Sequence, residues 1–137
     1  MARIRTVAQL SPERLAQVPL FADLDRRELE SIANTMRERT FSAGQHVTEE
    51  GAGGAGFFII DDGEADVTVH GEPRGTIKAG DYFGEIALIT GSDRTATIVA
   101  KTDMRCYGMT PWDFRPLVES NAAVAWKLFQ AMAQKLS

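Results

Sequence analysis

The stretch GDYFGEIALITGSDRTATIVA, residues 80–100, decides how the chain is read. It opens on a tight turn at Gly80 and passes Gly84 into a short helical run around residues 85–88. It ends in a β-branched strand. Apolar residues dominate it, yet it carries a carboxylate at Glu85 and, nine residues on, a guanidinium at Arg94. Gly84 lets the backbone approach a ligand closely. The free N–H groups of a helix start favour an anion, and Arg94 can bring a forked donor to the same place. A carboxylate repels phosphate, so Glu85 fits if the ligand also offers a hydroxyl, from which it would accept a strong hydrogen bond. Phosphate beside hydroxyl is what a nucleotide sugar presents. On spacing alone an ion pair between Glu85 and Arg94, or two separate solvated charges, is the more economical account of them.

Composition sets the frame. The chain has 137 residues, 44% hydrophobic and 25% charged, the profile of one globular domain. We expect residues 1–10 to be a tail and residues 11–137 one domain. No apolar run approaches a membrane span, and the N-terminus lacks a signal-peptide core. With one cysteine, Cys106, no internal disulfide can form, and a cytoplasmic location is expected. Net charge is −4 with both signs interspersed, so neither direct DNA binding nor membrane attachment is expected.

Outward from residues 80–100, the middle of the chain reads as strands. RTFSAGQHV, AGFFII, EADVTVHG, RGTIK and TATIVAKTDMRCYGM are short runs rich in Val, Ile, Thr and Phe, punctuated by glycine. IIDDGEADV is the strongest hairpin signal, with Asp61–Asp62 as turn residues. Both ends read as helices. Ser11 caps a helix opened by Pro12 and ended by Pro19. Asp25 and Glu28 have capping-box spacing ahead of a stripe of Leu29, Ile32, Ala33 and Met36. Thr110 caps a helix opened by Pro111, and Asn121 caps the last helix, striped by Ala125, Leu128, Phe129, Met132 and Leu136. The fold class is α+β, mainly β: an antiparallel, jelly-roll-like β-roll flanked by N-terminal and C-terminal helices.

Other motifs carry less. GAGGAG at 51–56 matches a dinucleotide fingerprint, but a strand follows it where a helix is required. His46 and His70 have no neighbour at metal spacing, so no metal is expected. No nucleophile–base–orienter trio appears, and the chain reads as a non-enzyme.

The quoted residues resemble the cyclic nucleotide-binding domains, over roughly Val18 to Leu136. PLFADLDRRELESIA resembles the family's N-terminal helical segment. FSAGQHVTEEG and GFFIIDDGEADV resemble its first hairpins, residues 80–100 its phosphate-binding cassette, and WDFRPLVESNAAVAWKLFQAMAQKL its closing helices. The resemblance implies a sensor of cyclic AMP or cyclic GMP, with no other cofactor. Phe83, Gly84, Glu85, Ile86, Ala87, Arg94 and Thr95 would form the binding site. Glu85 would take the ribose 2′-hydroxyl and Arg94 the cyclic phosphate. Backbone N–H groups of residues 84–87 and Thr95 would complete the cradle. Asp93 departs from the pattern, since proline often precedes the arginine. Thr95 in that position is compatible with a preference for cyclic GMP and equally with an ordinary strand residue. Trp126 and Phe129 are candidates for a lid on the base; a homodimer seam along the last helix and plain packing are the alternatives. The signal would pass to an effector protein or domain that the sequence does not identify. No DNA-binding helix-turn-helix follows the last helix in this sequence. The rival reading is a ligand-free interaction or dimerisation module that keeps the fold.

Overall fold

The computed structural model of the protein describes residues 10–48, 56–85 and 96–135. The described residues begin with a short helix α1 (Pro12–Leu15), a 3-10 turn (Pro19–Phe21) and α2 (Arg26–Thr35). Among the described residues eight strands follow: β1 (Arg37–Phe41), β2 (His46–Thr48), β3 (Phe57–Asp62), β4 (Glu64–Val69), β5 (Glu72–Lys78), β6 (Tyr82–Phe83), β7 (Thr97–Ala100) and β8 (Met104–Met109). Two helices close the described chain, α3 (Pro111–Ser120) and α4 (Ala122–Lys135).

The helix starts follow from local chemistry. The Ser11 hydroxyl accepts from the Arg14 backbone N–H at 3.1 Å, with Pro12 at the first position. The Asp25 carboxylate accepts from Glu28 N, and Glu28 accepts in return from Asp25 N, a complete capping box. Thr110 accepts from Asp113 N ahead of Pro111. The α2 stripe of Leu29, Ile32, Ala33 and Met36 is buried throughout. Pro19 opens the 3-10 turn, whereas α1 has already ended at Leu15.

Two four-stranded antiparallel sheets form the roll, in the orders β1-β8-β3-β6 and β2-β7-β4-β5. This corrects the hairpin reading. β1 and β2 belong to different sheets, and so do β3 and β4, so neither FSAGQHVTEEG nor IIDDGEADV is a paired hairpin. Gly63 is the corner at which the chain leaves one sheet for the other. Its φ is +97°, and a Cβ there would stand 2.5 Å from the Asp103 carbonyl oxygen. The paired local hairpin is β4–β5, through the two-residue turn His70–Gly71, both at positive φ. Asp61 is likewise not a turn residue. It lies in β3 with its side chain buried.

Alternation along β3 and β8 divides the core in two. Phe57, Ile59, Tyr107 and Met109 face the helices and pack with Leu15, Phe21, Ile32 and Phe114. Ile60, Met104 and Cys106 face the opposite sheet and pack with Phe41, Ala65, Phe83 and Ile98. A sheet covered on both faces reads as a continuous apolar run, which is why FFII shows no alternation in its chemistry. Burial pushes the Cys106 thiol up to about 12, so it behaves as a small core residue.

The last helix is rotated relative to the expected stripe. Val124 and Leu128 are its buried residues, while Phe129 is 67% exposed; Leu136 lies outside the described residues. The rotation is set by its partners. Lys127 Nζ donates to the Pro19 carbonyl at 2.7 Å and pairs with Asp23 at 2.9 Å, which turns the Val124–Leu128 edge onto the N-terminal turn. The Asn121 amide, expected as a cap, donates to the Glu28 carboxylate at 2.6 Å and ties the α3–α4 junction to α2.

Candidate functional site

The site grows out of β6, an edge strand of two residues. Tyr82 and Phe83 pair with Ile59 and Phe58 of β3. The alignment continues into the preceding turn, where Ile60 N donates to the Asp81 carbonyl and Gly80 N to the Ile60 carbonyl, each at 2.9 Å. The turn expected to lead directly into helix is therefore separated from it by this strand. Phe83 points between the sheets and stacks on Phe58, with ring centroids 5.2 Å apart and planes 19° apart. Space for Phe58 comes from Gly108 in β8, where a Cβ would stand 2.6 Å from the ring.

Gly84 follows with φ +97°, a conformation that an L side chain rarely adopts. It swings the chain out of the strand, and Glu85 is in helical conformation with 4% of its surface exposed. A carboxylate so buried is expensive unless its surroundings or a ligand offer hydrogen bonds. The charge of Glu85 is felt nearby. The Tyr82 hydroxyl is held above its usual range first by burial and second by this carboxylate.

Of the residues singled out from sequence, Phe83, Gly84 and Glu85 stand together at this corner. Ile86, Ala87, Arg94 and Thr95 lie outside the described residues. The chain is described again from Ala96, whose carbonyl accepts from the buried Thr48 hydroxyl at 3.0 Å at the head of β7. The segment from Glu85 to Ala96 thus leads from one sheet to the other. Phe58 and Tyr82 are additions to the site's framework. Their signal in the sequence, an aromatic within an apolar strand run, is the same as that of any core aromatic.

Trp126 and Phe129 stand on the exposed side of α4, 60% and 67% exposed, with ring centroids 6.1 Å apart. The buried edge of α4 belongs to the helix-side core, whereas Phe83 belongs to the core between the sheets. Trp126 is therefore placed to report on any rearrangement of α4. With Trp112 replaced by phenylalanine, Trp126 is the remaining indole, and its emission should change if a ligand bound at the Gly84–Glu85 corner moves α4. Unchanged emission together with unchanged hydrogen exchange over residues 121–137 would remove α4 from the response. Among the described residues no group of three or more His, Cys, Asp or Glu is placed to hold a metal ion. None of the described helices is long and apolar enough to cross a membrane.

Two antiparallel sheets rolled around an interior that holds Phe41 and Phe83, flanked by helices, with a glycine corner ahead of the buried Glu85, define a β-roll domain. The family model for the cyclic nucleotide-binding domain matches residues 38–121, more than half of the chain. The protein belongs to this family. Among solved structures, cAMP-bound PfPKA-R is 28% identical with a TM-score of 0.75, over 85% of this chain and 45% of that one. The second cyclic nucleotide domain of PKAR, bound to Sp-2Cl-cAMPS, is 26% identical with a TM-score of 0.74, over 89% and 88%. The catabolite activator protein of Thermus thermophilus shares the fold at 24% identity and a TM-score of 0.76, over 86% and 58%. The chain thus spans less than half of the PfPKA-R chain that it matches. It is a cyclic nucleotide-binding domain like the regulatory domains of PKA.

Proposed function

We propose that the chain is a sensor that binds cyclic AMP at the Gly84–Glu85 corner without turning it over, and passes occupancy to a partner protein or domain. The observation that carries this reading is the buried Glu85 carboxylate, set immediately after a positive-φ glycine in a domain of this family. Glu85 accepts the ribose 2′-hydroxyl, and Arg94 pairs with the cyclic phosphate. The N–H groups of residues 84–87 and Thr95 complete the cradle. Cyclic AMP is favoured over cyclic GMP because two similar structures, 28% and 26% identical, were solved with cAMP and a cAMP analogue. Asp93 adds a negative charge beside Arg94 and weakens the pocket for any phosphate.

A thermal shift series with cyclic AMP, cyclic GMP and the two 5′-monophosphates tests this. A ligand bound only by the native state adds RT ln(1 + [L]/Kd), about 2.7 kcal/mol at a hundredfold excess over Kd. Cyclic AMP should raise Tm most and the monophosphates least. Cyclic nucleotides that shift Tm no more than the monophosphates would overturn the reading. The exposed Trp126–Phe129 pair supports the second reading, a module kept for association through α4 as a homodimer. That reading expects a concentration-dependent dimer, lost in Trp126→Ala, and no response to nucleotide.

A further inference from the structure

Asp61 is a buried carboxylate to which the binding reading gives no role. Its side chain is 6% exposed at the end of β3, and two arginines from distant parts of the chain converge on it. Arg14 of α1 donates Nε to Oδ1 and a second nitrogen to the Asp61 backbone carbonyl at 3.3 Å. Arg105 of β8 donates Nη2 and Nε to Oδ2 at 2.6 and 2.9 Å. All the donors are charged, so these are the strong kind of hydrogen bond. Glu13, the neighbour of Arg14 in sequence, makes a separate pair with Arg26 of α2 at 2.6 Å.

The residue beside Asp61 is tied to the other side. Ile60 exchanges both of its backbone hydrogen bonds with Gly80 and Asp81, the turn that runs through β6 to Gly84 and Glu85. The same turn is held by the Asp81 carboxylate, which accepts from Lys78 N at 2.8 Å. Between the helical segment and this turn lies an open cleft of about 210 Å³, lined by Arg14, Val18, Asp61, Ala79 and Gly80. The helical segment and the turn flank this one space, with Asp61 of β3 in its lining.

We propose that Asp61 is a coupling residue: its carboxylate ties the N-terminal helical segment to β3, whose neighbouring residue Ile60 is hydrogen-bonded to the turn that leads into the nucleotide corner, so that occupancy of the corner is passed to residues 11–24. This rests on reading Gly84–Glu85 as the nucleotide site. A shift of the turn on ligand binding moves β3 through the two Ile60 bonds, and Arg14 carries the shift across the cleft. Coupling of this kind needs a physical link that both sites bias, and the clasp supplies it.

Hydrogen exchange of the full chain with and without cyclic AMP tests the link. In the wild type, cyclic AMP should slow exchange in residues 80–85 and change it in residues 11–24. In Asp61→Asn the response at 80–85 should persist and the response at 11–24 should be lost. Arg14→Gln removes only the helix side of the clasp and leaves the Asp61–Arg105 pair, which keeps the test informative if Asp61→Asn does not fold. It should lose the same response, and Arg14→Lys should recover part of it. A merely structural anchor would speed exchange at 11–24 equally with and without ligand, leaving the ligand-induced difference intact; that result overturns the proposal. A wild type that responds at 80–85 but not at 11–24 also overturns it. No response at 80–85 to either cyclic nucleotide means that the site reading itself has failed, and the coupling falls with it.

Discussion

If the proposed assignment holds, replacing Arg94 by alanine should lower affinity for cyclic AMP about a hundredfold or more, while replacing Glu85 by alanine should cost less and change what the protein discriminates. Each charge is assigned to a different part of one ligand. Arg94 is the positive side chain assigned to the phosphate. A charge-assisted hydrogen bond contributes roughly 1.5–3 kcal/mol and a forked contact more. Each 1.4 kcal/mol is about tenfold in Kd. Glu85→Ala leaves the phosphate contacts in place and removes the acceptor for the 2′-hydroxyl. The variant should bind cyclic AMP and its 2′-deoxy form alike, whereas wild type should prefer the ribo form. Calorimetric Kd values for both ligands with wild type, each variant and the double variant check this. If the two charges formed only a mutual ion pair, either substitution would lower stability modestly and leave the nucleotide profile unchanged. Retained discrimination by Glu85→Ala would remove the carboxylate from the ribose.

Phe57→Ala should be among the most destabilising truncations of the core. Its ring is fully buried at the start of β3 and lies against Phe21 at 6.4 Å, Tyr82 at 5.6 Å and Phe114 at 5.0 Å. It therefore joins the N-terminal turn, the site-bearing strand and α3. Truncating a buried phenylalanine costs about 3–5 kcal/mol, through lost transfer energy and the cavity left behind. For a domain of this size that is a fall in Tm of roughly 10–20 °C. Phe57→Leu keeps most of the volume and should recover a large part of the loss. Urea midpoints at unchanged m-value check the assignment to stability. A drop of under about 1 kcal/mol would mean that the three elements are not joined through this ring. Because Tyr82 is one of its neighbours, the truncation should also weaken nucleotide binding, which Phe57→Leu should largely restore.

The helix starts were legible in the sequence because caps are local. Ser11 with Pro12, Asp25 with Glu28, and Thr110 with Pro111 each satisfy an orphan N–H within three or four residues, so no distant partner is needed to decide them. The α2 stripe was legible for a similar reason. One face of an isolated helix pattern is buried whatever lies opposite. The glycine corner ahead of Glu85 was also visible, since it depends on backbone chemistry at one residue.

What the sequence left open was every decision made between residues far apart. IIDDGEADV has the composition of a hairpin, and only the partition of strands between two sheets shows that Gly63 turns a corner there. The choice between hairpin and corner rests on pairing with β8 and β7, roughly 30 to 50 residues away, and turn composition does not encode it. Asp61 looked like turn chemistry because its partners, Arg14 and Arg105, stand 47 and 44 residues away. On the last helix, Val124 and Phe129 both fit an apolar face. The rotation was decided by Lys127 reaching Pro19 and Asp23, over 100 residues earlier in the chain. The sequence by itself determined the strand runs and the caps at Ser11, Asp25 and Thr110, because these rest on short-range hydrogen bonds and backbone preference. The tertiary structure alone decided which strands meet, which helix face is buried and where a buried charge finds its counter-ion, because those contacts close long loops and are selected by the packing of the whole chain.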